Sequence, residues 1–274
     1  MTDTTPPGDR IAKVIARAGL ASRRDAERMI TQGRVSVNGK KIDRAALNVT
    51  ASDKVTVDGK PIAAPEDARL WLYHKPVGLV STTKDEQGRP TIFDNLPDTL
   101  PRVLSVGRLD LNSEGLLLLT NDGGVKRKLE LPSTGWLRKY RVRVKGRPTD
   151  DHLEPLRKGL TIDGEVFQPM AVSLDRQQGA NAWLTLGLRE GKNREIRRTL
   201  AELGLTVNRL IRVSYGPFQL GQLKPGDVEE VRRKVLRDQL GLDAAPDKED
   251  AKPLKSDKKP LRRKPRPAKV RKTP

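Results

Sequence analysis

The apolar positions open the chain in two helical groups. Ile11, Val14 and Ile15, then Ala26, Met29 and Ile30, fall three or four residues apart, which predicts two short helices within Arg10–Ile30. Gly19 separates them, Ser22 followed three residues later by Asp25 forms a capping box for the second, and Gly33 stops it. The period then drops to two. Arg34-Val35-Ser36-Val37 runs into Asn38-Gly39, and Lys54-Val55-Thr56-Val57 into Asp58-Gly59, both dipeptides suited to tight hairpins. Residues 59–68, with Pro61 and Pro65, read as a linker. A longer stretch then alternates strand-like runs (Leu70–Tyr73, Leu116–Thr120, Tyr140–Val144, Ala182–Leu188, Val207–Val213) with helical ones (Asp150–Leu160, Asn193–Leu203, Glu229–Leu240). Strands outnumber helices without a one-to-one rhythm, so the fold class expected is α+β, built on a mostly antiparallel sheet. The expected division is a small α/β module at 8–67, a larger domain at 68–241 and a disordered basic tail at 242–274.

Charge narrows the partner. The 274 residues carry 54 Lys and Arg against 35 Asp and Glu, a net of +19 with only 3% aromatic residues, which points to a polyanion. Residues 247–274 hold 12 basic and 4 acidic residues with five prolines, too little apolar area to order a chain. Subtracting them leaves the rest basic, so the inference does not depend on the tail. No run approaches the roughly 18 apolar residues of a membrane span and the first ten residues lack a signal-peptide core, so a cytoplasmic protein without membrane partners is expected. There is no cysteine, which excludes disulfides and thiolate chemistry, and His74 and His152 are the only imidazoles. With no cysteine and two histidines no metal is expected, and no small-molecule cofactor is expected because the glycines follow neither dinucleotide nor phosphate-loop spacing. Chemistry must then rest on carboxylates, hydroxyls and basic side chains.

The stretch Gly107-Arg108-Leu109-Asp110-Leu111-Asn112-Ser113-Glu114-Gly115, followed by Leu116–Leu119, is an acidic loop feeding a strand. Four consecutive leucines imply burial on both faces, so the loop ahead is anchored on rigid structure and can aim a side chain into a cleft. Asp110 is the candidate. Arg108, two residues earlier on the same face of an extended segment, is placed to hold it ionised. An Arg-x-Asp pair alone is more often a surface ion pair than a catalytic one.

Two resemblances sharpen this. Ile11 to Arg24 with Gly33 to Gly39 resembles the S4 RNA-binding domain. The resemblance implies that Arg17, Arg23, Arg24 and Arg34 meet phosphates of structured RNA. Gly107–Gly123 is similar to the RsuA family of pseudouridine synthases, as are Lys75-Pro76-Val77-Gly78 with Ser81, Lys139-Tyr140-Arg141-Val142, and Glu190 to Arg198. Asn193-Arg194-Glu195 with Leu210 to Gly216 looks most like its RluB branch. That family isomerises a uridine, breaking the N-glycosidic bond and re-forming it at carbon 5 of the base without a cofactor. The resemblance implies Asp110 as the essential carboxylate, by attack on sugar or ring or by elimination to a glycal. It implies Arg197 as the basic partner of Asp110, Tyr140 as a stacking aromatic, Leu210 packed on the same base, and Arg108 either intruding on the RNA or steadying the extruded nucleotide. Lys192, Arg194 and Arg198 would line a phosphate path. Glu195, where the wider family carries an amide, is assigned no catalytic task. The partner implied is ribosomal RNA, the large-subunit RNA first, or a precursor ribosomal particle, bound by a monomer. Two rivals remain: a non-catalytic RNA-binding assembly factor and a carboxylate-dependent RNA glycosidase.

Overall fold

The computed structural model describes residues 8–241; the tail expected at 242–274 lies outside the described residues. Two helices, α1 (Ile11–Arg17) and α2 (Arg23–Thr31), open the chain. Ser22 caps α2 through its hydroxyl oxygen, which accepts from Asp25 N at 3.1 Å. Ile11, Ile15, Ala26 and Ile30 turn inward against Val35, Val49 and Val55. Both hairpin turns form as their dipeptides require, with φ of 50° and 81° at Asn38 and Gly39 and 51° and 76° at Asp58 and Gly59. The strand Lys60–Pro61 pairs with Thr56 and Val57, so the expected linker begins as a sheet edge, where Pro61 needs to donate no bond.

The larger unit is a nine-stranded sheet. Its strands are β1 (Leu70–Lys75), β2 (Leu104–Val106), β3 (Glu114–Thr120), β4 (Arg138–Lys145), β5 (Ala171–Gln178), β6 (Asn181–Leu188), β7 (Thr206–Tyr215), β8 (Phe218–Gln219) and β9 (Val228–Glu230). The order runs β5-β6-β4-β7-β3-β1-β9, with β8 on β7 and β2 on β3. Every pairing in it is antiparallel except β7 with β3. The four leucines are buried on both faces. Leu117 and Leu119 join Tyr73, Tyr140, Val142, Leu184 and Leu200, whereas Leu116 and Leu118 join Val125, Leu129, Leu236 and Leu240. Each such side chain contributes about 2 kcal/mol of burial. The second group belongs to α3 (Gly123–Glu130) and α6 (Arg233–Leu240), which cover one half of that face; α4 (Glu154–Lys158) and α5 (Glu195–Glu202) supply Leu156, Ile196 and Leu200 to the other face.

Two expectations change, and one helix is added. The helix expected over Glu229–Leu240 starts only at Arg233, because Val228–Glu230 pairs with Trp71–Tyr73 and backbone pairing overrides the helix preference of glutamate. The helix expected over Asp150–Leu160 shrinks to a single turn and α4, and Leu160 starts the strand Leu160–Ile162. Helix α3 is hidden in sequence by Gly123-Gly124, yet Asp122 caps it by accepting from Gly124 N and Val125 N at 2.7 and 3.0 Å.

Gly115 is where β3 and β7 approach. Its φ is 105°, and a Cβ there would sit 2.4 Å from Arg212 O. Gly115→Ala is expected to cost at least about 2 kcal/mol, through strained backbone and a clash with backbone that cannot move aside. Denaturant unfolding checks this, and a midpoint equal to wild type would contradict it.

Candidate active site

The loop between β2 and β3 is held by its backbone at almost every step. Gly107 N donates to Glu130 Oε1 at 2.6 Å, Ser81 Oγ donates to Leu109 O at 2.9 Å, and Gly78 N donates to Leu111 O at 2.8 Å. Lys75, wholly buried at the end of β1, completes the set. Its Nζ donates to Asp110 O at 3.1 Å, Ser113 O at 2.8 Å and Pro76 O at 3.0 Å. Burial pulls this ammonium down to about 8, against the pull of Asp110 and Glu114 in the other direction. With the backbone so occupied, the Asp110 side chain is left free to point outward, about one-third exposed.

It points into a cavity of about 260 Å³. Asp110, Tyr140, Arg197 and Leu210 all line it, so four of the expected residues converge from β3's loop, β4, α5 and β7. Tyr140 and Leu210 are each more than nine-tenths buried, standing as neighbours on adjacent strands, because Tyr140 pairs with Arg212 and Val142 with Leu210. Arg108 is exposed and also lines a second, broader cleft of about 900 Å³ formed with residues 80–93 and Gly191–Arg194. Asp110 stands at the junction of the two spaces.

The partner of Asp110 differs from expectation. Arg197 donates from Nη2 to Asn112 O at 2.8 Å and from Nη1 to Val207 O at 3.2 Å, so it clamps the loop backbone and forms no ion pair with the carboxylate. The guanidinium in ion-pair range is that of Arg194, with Nη1 3.9 Å from Asp110 Oδ2. Arg194 sits ahead of α5 with φ of 48°, a left-handed backbone rare outside glycine. No ion pair joins Arg108 to Asp110 among the described residues; the extended chain alone does not bring two side chains into contact.

The cavity also holds residues that the sequence reading gave no part in the reaction. Arg138 stacks on Tyr215, its Cζ 4.7 Å from the ring centre, and donates to the tyrosine hydroxyl at 2.9 Å. Arg212 is buried, with Nε donating to Leu116 O at 2.7 Å and Nη2 left without a partner. The legible signal was alternation, since Arg138 lies two residues before Tyr140 and Arg212 two after Leu210. Glu195 is 3% exposed and lines the same cavity. Its Oε2 accepts from Lys192 N, while Oε1 is buried without a partner. Burial, then the neighbouring Glu190 carboxylate, push Glu195 up to about 8.

That shift has a sign. The native state keeps the proton on Glu195 while the unfolded chain loses it above its ordinary value of 4.5, so this group's contribution to stability falls as pH rises from about 4.5 to about 8. Glu195→Gln is expected to remove that decline, its melting temperature gaining on wild type across the window. Parallel curves for the two proteins would contradict the assignment.

Of the S4-like cations, Arg23 and Arg24 are exposed at the start of α2. Arg34 is held by Asp58 through two bonds of 2.9 and 2.6 Å, and Arg17 lies 3.4 Å from Asp122 at the head of α3. Arg198 pairs with Glu165, and Lys192 lies 3.3 Å from Glu190. Among the described residues no group of three or more His, Cys, Asp or Glu side chains is placed to hold a metal, and no helix is long and apolar enough to cross a membrane.

Comparison with known proteins places the whole chain in a family. A family model described as RNA pseudouridylate synthase matches residues 69–202, and an S4 domain model matches residues 9–55. An uncharacterized RNA pseudouridine synthase of Rickettsia felis is 49% identical over 227 residues, covering 83% of this chain and 98% of that one. The ribosomal large subunit pseudouridine synthase B of Yersinia pestis is 42% identical over 221 residues, covering 78% and 69%. A crystal structure of a pseudouridylate synthase shares the fold, with TM-score 0.60 and 24% identity over 84% of this chain and 99% of that one. An acidic loop on a mostly antiparallel sheet, a cavity under it and an S4 domain ahead of it thus occur here in one chain, and that chain belongs to the RNA pseudouridine synthases of the RsuA and RluB type.

Proposed function

We propose that this synthase isomerises one uridine of large-subunit ribosomal RNA, with Asp110 as the essential carboxylate. The observation that carries the reading is the convergence of Asp110, Tyr140, Arg197 and Leu210 on one cavity of about 260 Å³ that opens onto a wider cleft rich in cations. The cavity is slightly smaller than most ligand sites, which run from roughly 300 to 1,000 Å³, and this suits a single nucleotide taken out of its stack. Tyr140 and Leu210 offer the swung-out base an aromatic and an aliphatic wall, and Arg108 at the rim steadies the RNA that the nucleotide leaves. The bond from the sugar to N1 breaks, the base turns, and a bond to carbon 5 replaces it; carbon 5 gives up its hydrogen and N1 gains one, so mass is unchanged. Arg194 lies within ion-pair range of the Asp110 carboxylate, and Arg197 holds the loop that presents it.

Residues 8–67 are proposed as the RNA-positioning module and 68–241 as the catalytic domain, the enzyme working as a cytoplasmic monomer on ribosomal RNA or its precursor particles. Large-subunit RNA is favoured because it is named in the enzyme from Yersinia pestis, 42% identical to this chain. The test is a pseudouridine map of ribosomal RNA from cells with and without the gene, joined to an assay on transcripts. A single site lost in the large-subunit RNA and restored in vitro is expected. No change in any ribosomal RNA would overturn the substrate, and release of free uracil would reassign the chemistry to a glycosidase.

A further inference from the structure

Among the described residues no element covers one half of the sheet's outer face, and that half is basic. Along β4 the side chains alternate, Tyr140, Val142 and Val144 facing the core and Lys139, Arg141, Arg143 and Lys145 facing out. Pairing register carries this outer row across four strands, placing Arg176, Trp183, Arg143 and Arg209 side by side on β5, β6, β4 and β7. Ile211 and Glu114 extend the same face to β3, where α3 and α6 cover it through Leu116 and Leu118. Those helices and their apolar contacts stop there.

The arrangement costs the sheet stability. Arg143 and Arg209 stand directly opposite each other on neighbouring strands, and like charges so placed repel. Two carboxylates answer part of the charge, Asp175 at 3.8 Å from Arg141 and Glu114 on Arg209. Among the described residues Lys139, Arg143, Lys145 and Arg176 have no carboxylate in ion-pair range, and Arg143 Nε is buried with no hydrogen-bond partner. The cations of β4 repeat about every 6.8 Å along the strand, the layout of an extended polyanion instead of one compact anion. Trp183 lies half-buried among them, with Arg141 Cζ 5.1 Å from its ring centre, too little apolar surface for a lipid or a protein core.

We propose that this face is a second RNA-binding surface, which grips the phosphate backbone of a duplex segment remote from the target uridine while the target occupies the cavity on the sheet's other side. The proposal rests on the reading that the substrate is a large folded RNA. It assigns to the outer residues of β4 a task separate from that of Tyr140, and it predicts that a short RNA carrying the target is a complete substrate for chemistry yet a weaker one for binding.

The experiment uses the full chain carrying Lys145→Glu with Arg176→Glu, two exposed residues outside the cavity. Two probes are compared, a full-length large-subunit ribosomal RNA transcript and a short stem-loop bearing the target. Expected for the variant is an unchanged melting temperature and unchanged kcat and KM on the stem-loop. Its Kd for the transcript should rise about tenfold at 0.1 M salt, and the slope of log K against log salt should fall by about two. Should the double variant fold poorly, Lys139→Gln and Lys145→Gln, each expected to raise that Kd about threefold, replace it. Wild-type affinity and salt slope in the variants would overturn the proposal, as would a defect seen on ribosomal particles but not on naked transcript, which would assign the face to a protein. Because binding is read directly, failure of the wild type to modify ribosomal RNA would count against the proposed substrate and leave this comparison decisive for the face.

Discussion

Asp110→Asn is expected to fold like wild type and to lose at least about 10⁴-fold in kcat, the scale seen when an essential nucleophile is removed. The contrast between fold and turnover follows from how the loop is held. The backbone around Asp110 is fixed by the Lys75 ammonium and by Ser113 N, which donates to Asp110 O at 3.0 Å, and none of these bonds uses the carboxylate. The side chain itself has one ion pair, at 3.9 Å and partly in solvent. An amide of the same shape should therefore change stability by no more than about 0.5 kcal/mol. Single-turnover formation of pseudouridine, alongside thermal melting and RNA affinity, makes the measurement. Turnover within tenfold of wild type would remove Asp110 from the mechanism. Loss of turnover with equal loss of melting temperature would make it a structural residue.

Lys75→Met should produce the largest change in stability. Methionine keeps much of the volume of the buried stem but supplies none of the three donors, leaving the carbonyls of Pro76 and Ser113 without a partner and that of Asp110 with the Ser113 amide alone. Each buried polar group left unpaired costs about 1–3 kcal/mol, and removal of the buried charge returns part of that, so a net loss of about 3–5 kcal/mol is expected. Two of the three carbonyls belong to the loop that presents Asp110. Misplacing that loop by an ångström should lower kcat by about 10²-fold in whatever fraction remains folded. Denaturant titration checks the first effect, through a lower midpoint at unchanged slope. Kinetics at a temperature where the variant is folded checks the second. Lys75→Arg should not rescue either, because the site encloses the ammonium completely and a planar fork does not fit the same three oxygens. Wild-type kinetics in a destabilised Met variant would mean that Lys75 supports the fold without setting the loop.

Local rules account for what was legible. Ser22 and Asp25 cap α2, Asn38-Gly39 and Asp58-Gly59 turn as their chemistry allows, and the four leucines are buried on both faces. The split of Glu229–Leu240 into strand and helix was not legible, because the pairing of Val228–Glu230 with β1 is made with residues about 155 positions away. Helix α3 was missed for a different reason: two glycines at its start mask a good cap at Asp122.

The site divides the same way. Asp110, Tyr140, Arg197 and Leu210 were identifiable as members of ordered motifs, and they do share a cavity. Their partners were not. That Arg194 and not Arg197 comes nearest Asp110 depends on the left-handed residue ahead of α5, and that Glu195 is buried beside Glu190 depends on how that helix packs. The chain's own order of residues determined the turns, the caps, the basic character and the identity of the acidic loop, since each depends on neighbours within a few positions. Only the tertiary structure decided that Lys75 holds the loop, that Arg197 binds backbone and that the described residues leave half of a sheet face uncovered, because strand register and helix docking bring together groups separated by tens of residues.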